Sequence, residues 1–503
     1  MTVRAIPSCR AIWFGRITLL LAVIAAPASA QLISVKTVPI AQGDQFDFFP
    51  SRNQGMASVS IAVADTLLDP FSNPAKGGRL HGSHFFGTPT FFNVSSDAGG
   101  GRTIPLTALG SRGSVFGGLS VVFQEIDAAK RVDFFPVFSS SVAPGISDKA
   151  HHNRYGFAMV GKTFASAGVS VGASILGAGL EAVDGVDLLY AGSQGIDQDG
   201  QSIDTRIGLV KEWSPSHSLE AVIVHNRYRS AHHVTYADWF WDPETRTNVP
   251  RPRVDHNLDR TNTNGLHVAY VRPIAASTWR VGAMATANRL THPKIPNYEI
   301  MNVPRDPGHS EAFNLGLGVA KMDAGMTFGL DAIWEPIRTS TWAEAAGSTM
   351  TASGGVIPDG GKTIENRFQF SNAIVRMGFS QEFKAPEGGR EAGLQLGLAM
   401  HSIHYRLQQV NNIALSRRHQ DERWVEWMPT WGTSFRFPNV EIRYRGRLTM
   451  GTGRPGVAGS NTMMVGAADA GLRSSIVAAP SGELTLDEVS VMAHQFSVSF
   501  PIR

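Results

Sequence analysis

Residues 278–290 read TWRVGAMATANRL, with Trp279, Val281, Ala283, Ala285 and Ala287 alternating with Arg280, Gly282, Met284, Thr286 and Asn288. A period of two marks a β-strand whose faces meet different surroundings, because successive side chains point to opposite sides. The pattern recurs in 326–338, where Phe328, Leu330, Ala332 and Trp334 alternate with Thr327, Gly329, Asp331 and Glu335. It recurs again in 439–450, where Ile442, Tyr444, Leu448 and Met450 alternate with Glu441, Arg443, Arg445 and Arg447. Strands of globular proteins usually run about 5–6 residues, whereas a tilted strand crossing a bilayer needs about 9–11. These are of the longer kind.

Working outward, such strands are predicted at 115–126, 153–164, 168–177, 202–213, 217–229, 261–273, 278–290, 309–322, 326–338, 365–383, 391–408, 423–436, 439–450 and 487–502. Their connections alternate in length. Long ones (127–152, 178–201, 230–260, 291–308, 339–364, 409–422, 451–486) take turns with short ones such as Ala165–Ala167, Ser214–Ser216, Asp323–Gly325 and Phe437-Pro438. Tight turns at one end and long loops at the other belong to outer-membrane barrels. The predicted fold is therefore all-β: a transmembrane, antiparallel, up-and-down β-barrel of about 14 strands, with 12–16 compatible with the pattern. Both termini fall on the short-turn, periplasmic side. Two strands change phase midway, at 368–383 and 394–408, which a bulge or a misplaced boundary would explain. Trp213, Trp239, Trp241, Trp334, Trp342, Trp424, Trp427 and Trp431 collect near strand ends, as expected of rings at the lipid–water boundaries. Trp427 and Trp431 are read as facing lipid.

The N-terminus is an address rather than structure. Arg4, Arg10 and Arg16 precede the apolar run Ile17–Ala26, and Ala28-Ser29-Ala30 is a cleavage site of the A-x-A kind, so 1–30 is predicted to be a signal peptide. The only cysteine, Cys9, lies in it, as do three of the 45 basic residues and no acid, which leaves 42 charges of each sign. The basic balance therefore gives no argument for nucleic-acid binding. Three regions follow: 1–30 signal peptide, 31–114 N-terminal plug or periplasmic segment, and 115–503 barrel.

Residues 56–80, MASVSIAVADTLLDPFSNPAKGGRL, hold Ala64-Asp65 and then Asp69-Pro70-Phe71-Ser72-Asn73-Pro74-Ala75. This stretch resembles the signature near the start of FadL-like proteins, outer-membrane channels for fatty acids and other hydrophobic molecules; related barrels serve as secretion accessories. The resemblance covers about 25 residues, and it departs at Lys76-Gly77-Gly78, where the family usually continues with Gly-Leu. It implies a porin-like barrel with an N-terminal plug, passing small hydrophobic or amphipathic molecules. Two Xaa-Pro corners four residues apart, at Asp69-Pro70 and Asn73-Pro74, predict a compact, non-helical knot. As a plug it would offer Asp65, Asp69 and Lys76 to lumen charges; the alternative is a periplasmic linker. At the other end, Phe496, Val498, Phe500 and Ile502 alternate with Gln495, Ser497 and Ser499. This resembles the terminal signal read by barrel-assembly machinery, although the chain closes on Pro501-Ile502-Arg503 rather than on an aromatic residue.

Charged residues then sort by face. An arginine facing lipid near the midplane costs roughly 2–4 kcal/mol, so the row Glu441, Arg443, Arg445, Arg447 must face the lumen. Asp204, Arg206, Glu212, Asp331, Glu335, Glu426 and Arg436 lie on the matching phase. The row is either a lining that steers anionic head groups or a structural salt-bridge network; both signs are present, which favours the network. His151-His152, His232-His233 and His401-x-x-His404 lack ligand spacing for a metal, since i and i+3 on a strand point oppositely. No nucleophile elbow, zinc-protease helix or phosphate loop is found, so neither an enzyme nor a cofactor is expected. Loop 230–260, with Tyr236, Trp239, Phe240 and Trp241, is read as folding over the mouth to bind ligand or as contacting lipopolysaccharide. The expected partners are outer-membrane lipid, lipopolysaccharide, the assembly machinery and hydrophobic small molecules. The competing function is a non-transporting scaffold, adhesin or secretion accessory.

Overall fold

In a computed structural model of the protein, Leu119, Val121 and Phe123 are 67%, 49% and 57% exposed, while Ser120, Val122 and Gln124 between them are buried. One face of each strand is thus apolar and open, the other closed against the interior. The structure describes residues 45–95, 99–127, 151–182, 195–275, 277–292, 295–297, 303–305, 308–345, 347–384, 390–455 and 486–502. The expected signal peptide at 1–30 lies outside them.

Sixteen staves form one closed antiparallel sheet. They are β1 (Ser83–Gly87 continued by Thr90–Val94), β2 (Gly100–Arg112), β3 (Val115–Asp127), β4 (His151–Phe164), β5 (Val169–Leu180), β6 (Gly195–Ser214), β7 (His217–Asp242) and β8 (Thr247–Pro273). The ring continues with β9 (Trp279–His292), β10 (Gly308–Asp323), β11 (Met326–Glu344), β12 (Lys362–Lys384), β13 (Glu391–Asn411), β14 (Ser416–Phe437), β15 (Val440–Pro455) and β16 (Leu486–Ile502). Each stave pairs with the next, and β16 returns to β1 through Phe500↔Phe85 and Ala493↔Phe92. Both halves of β1 pair with β2 and β16 in one unbroken register across Thr88-Pro89. Closure removes the sheet edges, so every wall carbonyl and N–H can find a partner without water. Among the described residues, no helix is long and apolar enough to cross a membrane.

The count of about fourteen is corrected to sixteen. Every strand expected from residue 115 onward is present, and the two additional staves, β1 and β2, come from the stretch read as irregular. Their outward faces carry Phe85, Phe91, Ile104 and Leu106, but Pro89, Pro105 and the glycines at 99–101 interrupt the alternation. The apparent phase changes are also corrected. β12 and β13 hold a single register from Phe368↔Leu407 through Phe370↔Tyr405 to Phe379↔Leu396, with no bulge. What changes is which face is apolar: Phe379, Leu394 and Leu396 point outward, whereas Phe368, Phe370, Ile403, Tyr405 and Leu407, further along the same staves, are buried inward.

Short connections gather at one end of the ring. At Ala324 (φ 37) and Gly325 (φ 86) both central residues take positive φ, the geometry of a two-residue hairpin turn matched to strand twist. Toward the other end the staves lengthen. Residues 230–260 are not a loop but the continuation of β7 and β8, paired as far as Asp242↔Thr247. The connection expected at 409–422 shrinks to 412–415. The expected loops at 291–308 and 339–364 hold small hairpins, Ile295–Asn297 with Val303–Arg305 and Thr349–Met350 with Val356–Ile357. Residues 128–150, 183–194 and 456–485, in three further expected loops, are outside the described residues.

Residues 45–80 touch staves all around the ring: Gln45 meets Gln124 of β3, Asn73 meets Glu220 of β7, Ser60 meets Asp331 of β11, and Gln54 meets Arg445 of β15. A segment in contact with every side of a closed barrel lies within it. Glycines on the inner phase make the room: a Cβ added at Gly282 would sit 2.6 Å from the Ile61 carbonyl oxygen, and one at Gly318 2.6 Å from Ile61 Cβ. Gly378 and Gly397 face Met56 and Ala57 in the same way.

Candidate functional site

The inner segment is organised by Asp65. Its carboxylate is buried and accepts hydrogen bonds from the Ser51 hydroxyl and from the N–H groups of Arg52 (2.7 Å), Asn53 (3.1 Å), Leu67 (3.2 Å) and Leu68 (3.1 Å). These hydrogen bonds to one carboxylate tie two turns of chain together. Asp65 therefore serves the segment itself and makes no ion pair with the wall among the described contacts.

Asp69 and Asn73 open two short helical turns, Asp69–Ser72 and Pro74–Arg79, which corrects the expected non-helical knot. Each proline sits in the first turn, where its missing N–H is not needed. Before Pro74 the expected extension does hold: Asn73 has φ −130 and ψ 104, and its Oδ1 accepts from Ala75 N–H at 3.1 Å as an N-cap. Lys76 bridges Asp69 (3.1 Å) and Glu220 of β7 (3.0 Å), and Asn73 Nδ2 donates to Glu220 at 2.9 Å. Arg79 reaches Asp69 (3.8 Å) and Glu212 of β6 (2.8 Å). Burial pushes the Asp69 carboxyl up to about 6, with Lys76 pulling the other way. Burial opposes the charge of Lys76, but Asp69 and Glu220 outweigh it and raise its ammonium above the usual range.

The predicted lumen charges all come from inward positions, and most hold the segment. Asp331 accepts from Ser60 N–H (2.8 Å) and Ile61 N–H (3.3 Å). Arg206, paired with Asp204 at 2.7 Å, donates to the carbonyls of Phe71 (3.3 Å) and Ser72 (3.2 Å), where a cation complements the end of the short helix. Glu441 pairs with Arg443, Arg436 (3.2 Å) and Arg52 (3.6 Å); Arg447 reaches Asp47 at 3.7 Å. Arg445 donates to Gln495 (2.8 Å) and Gln54 (3.4 Å). Glu335 accepts from Asn372 at 3.0 Å, and Glu426 faces His401 at 3.5 Å. The network reading of these charges fits the contacts better than a free lining does.

Several residues were missed. Glu220, Arg376, Gln395 and Thr430 also hold the segment: Arg376 donates to Ser58 O, Gln395 to Arg52 O, and Thr430 to Gly55 O. An inward apolar cluster joins Ala312, Ile337, Phe368, Phe370, Ile403, Tyr405 and Leu407, with Trp424 against it, and its members on β12 and β13 lie in the two expected phase changes. Trp424 accordingly faces inward rather than lipid, whereas Trp427 on the other phase is 43% exposed, as expected. The usable signal was a stave that keeps its period while exchanging the polarity of its faces. Tyr236 is buried, with Arg253 4.5 Å from its ring centroid, while Phe240 and Trp241 stand exposed at the tip of the β7–β8 hairpin. Among the described residues no three His, Cys, Asp or Glu side chains could hold a metal ion.

A closed antiparallel barrel of sixteen staves with an apolar exterior is the fold of an outer-membrane protein. No protein-family model matches the chain, and no curated protein does. Solved structures similar to it include a Pseudomonas aeruginosa FadL homologue (10% identity, 92% of this chain and 100% of that one, TM-score 0.41). The Pseudomonas putida toluene transporter TodX (11%, 95% and 100%, TM-score 0.37) and the CymD monoaromatic hydrocarbon channel (10%, 92% and 98%, TM-score 0.36) are also similar. At these scores the likeness is loose, and the fold rests on the strand ladders themselves.

Proposed function

We propose that the protein is a FadL-like passive channel of the outer membrane, carrying small hydrophobic or amphipathic molecules past a plug formed by residues 45–80. The termini and short turns face the periplasm, and the extended staves face outward. The observation that carries this reading is the exchange of polarity along β12 and β13. Where the plug sits, the inner face is Arg376, Gly378, Gln395 and Gly397; beyond it, the inner face is Phe368, Phe370, Ile403, Tyr405 and Leu407. A water-filled pore has no use for such a lining, whereas an apolar solute gains roughly 25 cal/mol per Å² on reaching it.

A tether tests it. Val59 Cβ lies 3.4 Å from a Cβ built at Gly329, close to the spacing a disulfide needs, and the only native cysteine is Cys9. In liposomes, the oxidised double variant Val59→Cys/Gly329→Cys is expected to stop uptake of toluene, and reduction to restore it. Equal uptake in both forms would refute a moving plug; no uptake by wild type would refute the channel. A second reading, a surface-contact protein, draws support from the projecting β7–β8 hairpin with exposed Phe240 and Trp241. Lipopolysaccharide is its proposed partner.

A further inference from the structure

On the outer wall of β7 and β8 the exposed face turns from apolar to basic. Along β7 toward the hairpin tip, Ile223 is followed on the same face by His225, Arg227 and Arg229. Along β8, Leu266 is followed by Asn264, Asn262 and Arg260. Arg229 and Arg260 are direct cross-strand partners, Arg227 stands beside Asn262, and Arg289 of β9 stands beside Asn264. All four arginines are exposed.

Like charges directly opposite each other on a sheet face are destabilising. None of the four arginines nevertheless has an ion pair among the described residues. Of the acids on this face, Glu311 of β10 lies opposite Arg289 but also opposite Arg338 of β11, and Asp199 of β6 lies opposite Ala231. Outer-wall cations elsewhere do carry acids. Arg102 is 3.5 Å from Glu125 and 3.7 Å from Asp127, and Arg423 is 3.8 Å from Asp421.

The row also falls at a particular height. At the short-turn end of these staves the exposed rings are Trp213, Tyr270 and Trp279, as at a lipid–water boundary. From Ser218, level with that end, to Arg227 the chain rises roughly 30 Å at about 3.3 Å per residue. At a tilt of about 40° this is roughly 23 Å of height, close to the apolar band of about 25 Å that a barrel presents to lipid. The arginines therefore stand where the hydrocarbon ends, and an anion that meets them there belongs to a lipid. Guanidinium forks match the oxygens of a phosphate in pairs.

Resting on the outward placement of the extended staves in the reading above, we propose that Arg227, Arg229, Arg260 and Arg289 form a docking surface for the phosphorylated head group of lipopolysaccharide. Its acyl chains lie against Ile203, Ile207 and Ile223, which are 48%, 60% and 59% exposed just below the row. The contact is thus on the wall, apart from the hairpin tip at Phe240 and Trp241.

The test is binding of fluorescent diphosphoryl lipid A to the detergent-solubilised full-length protein, corrected for empty micelles. The competitors are unlabelled lipid A, its dephosphorylated form and cardiolipin. Wild type is expected to prefer lipid A over the dephosphorylated form by at least about tenfold, since each arginine near a charged head group contributes several-fold. Arg229→Gln/Arg260→Gln should bring the two within about threefold while keeping the heat-dependent gel shift, and Arg102→Gln should leave the preference unchanged. Equal binding of both forms by wild type, an undiminished preference in the double variant, the same loss in Arg102→Gln, or cardiolipin bound as tightly as lipid A would each overturn the proposal. Labelling of Glu244→Cys, at the β7–β8 tip, by an impermeant maleimide on whole cells separates this from the orientation on which it rests. A labelled tip without phosphate preference sinks the docking surface and spares the orientation; phosphate preference with an unlabelled tip refutes the orientation and, with it, lipopolysaccharide as the occupant.

Discussion

At the residue scale, the inner segment depends on a few buried polar groups whose loss strands others. Asp65→Ala would leave the N–H groups of Arg52, Asn53, Leu67 and Leu68 without their acceptor, at about 1–3 kcal/mol for each that stays buried. The expected result is a segment cut rapidly by added protease while the barrel keeps its heat-dependent gel shift; equal protection would show that Asp65 is dispensable. Asp69 gives the segment a pH dependence. Its neighbours are Lys76, Arg79 and Asp65 within the segment and Glu220 on β7, with Glu212 of β6 behind Arg79. Its carboxyl is raised from 3.8 to about 6 in the seated state, so that state binds the proton more tightly than the released one. Seating is therefore weakest above pH 6 and strengthens as pH falls toward about 4. Asp47, also raised by burial, acts in the same sense, so the measurement is protease protection from pH 4.5 to 7.5 in wild type against Asp69→Asn. A flatter profile in the variant is expected; an identical one would exclude Asp69.

At the element scale, the inner faces of the staves are shaped to admit backbone. In Gly318→Val of β10, Cβ would meet Ile61 Cβ at 2.6 Å and Asp331 Oδ1 at 2.7 Å, and Asp331 is the acceptor for Ser60 and Ile61. Overpacking costs about 1–3 kcal/mol, and displacing the segment from the wall relieves it more readily than breaking the ladder does. Hydrophilic dye should then leak from liposomes that hold the variant but not from those with wild type; a tight variant would mean that the wall yields instead. These glycines were legible in sequence only as members of an alternating pattern. Gly282 and Gly329 stood in the quoted runs, but nothing local distinguishes a glycine beside an empty lumen from one beside Ile61 or Val59.

At the scale of the whole molecule, closure falls on a stave whose ladder is interrupted at two prolines. Thr88 N–H donates to Pro105 O and Phe496 N–H to Pro89 O, yet neither proline can return the bond. The Thr88 carbonyl is instead met by Thr90 Oγ1 at 3.3 Å. Restoring the donors with Pro89→Val and Pro105→Val should stabilise the barrel by about 1 kcal/mol each, read as a higher urea midpoint for loss of the gel shift. An unchanged or lower midpoint would mean that the prolines are accommodated without cost. The same prolines hid β1 and β2 from the sequence reading, since they break the alternation by which the other staves were found.

The sequence by itself determined that the chain crosses a membrane as strands, where fourteen of the staves lie, and that Glu441, Arg443, Arg445 and Arg447 turn inward. Each conclusion follows from a local rule: side chains alternate, and an arginine does not face hydrocarbon. Only the tertiary structure decided that residues 45–80 contact staves around the ring and that the inner wall beyond them is apolar. A period of two reports that two faces differ, not what each one meets. What Phe368 and Tyr405 meet is set by where the membrane ends and where the inner segment stops, and neither boundary is written in the residues of β12 and β13.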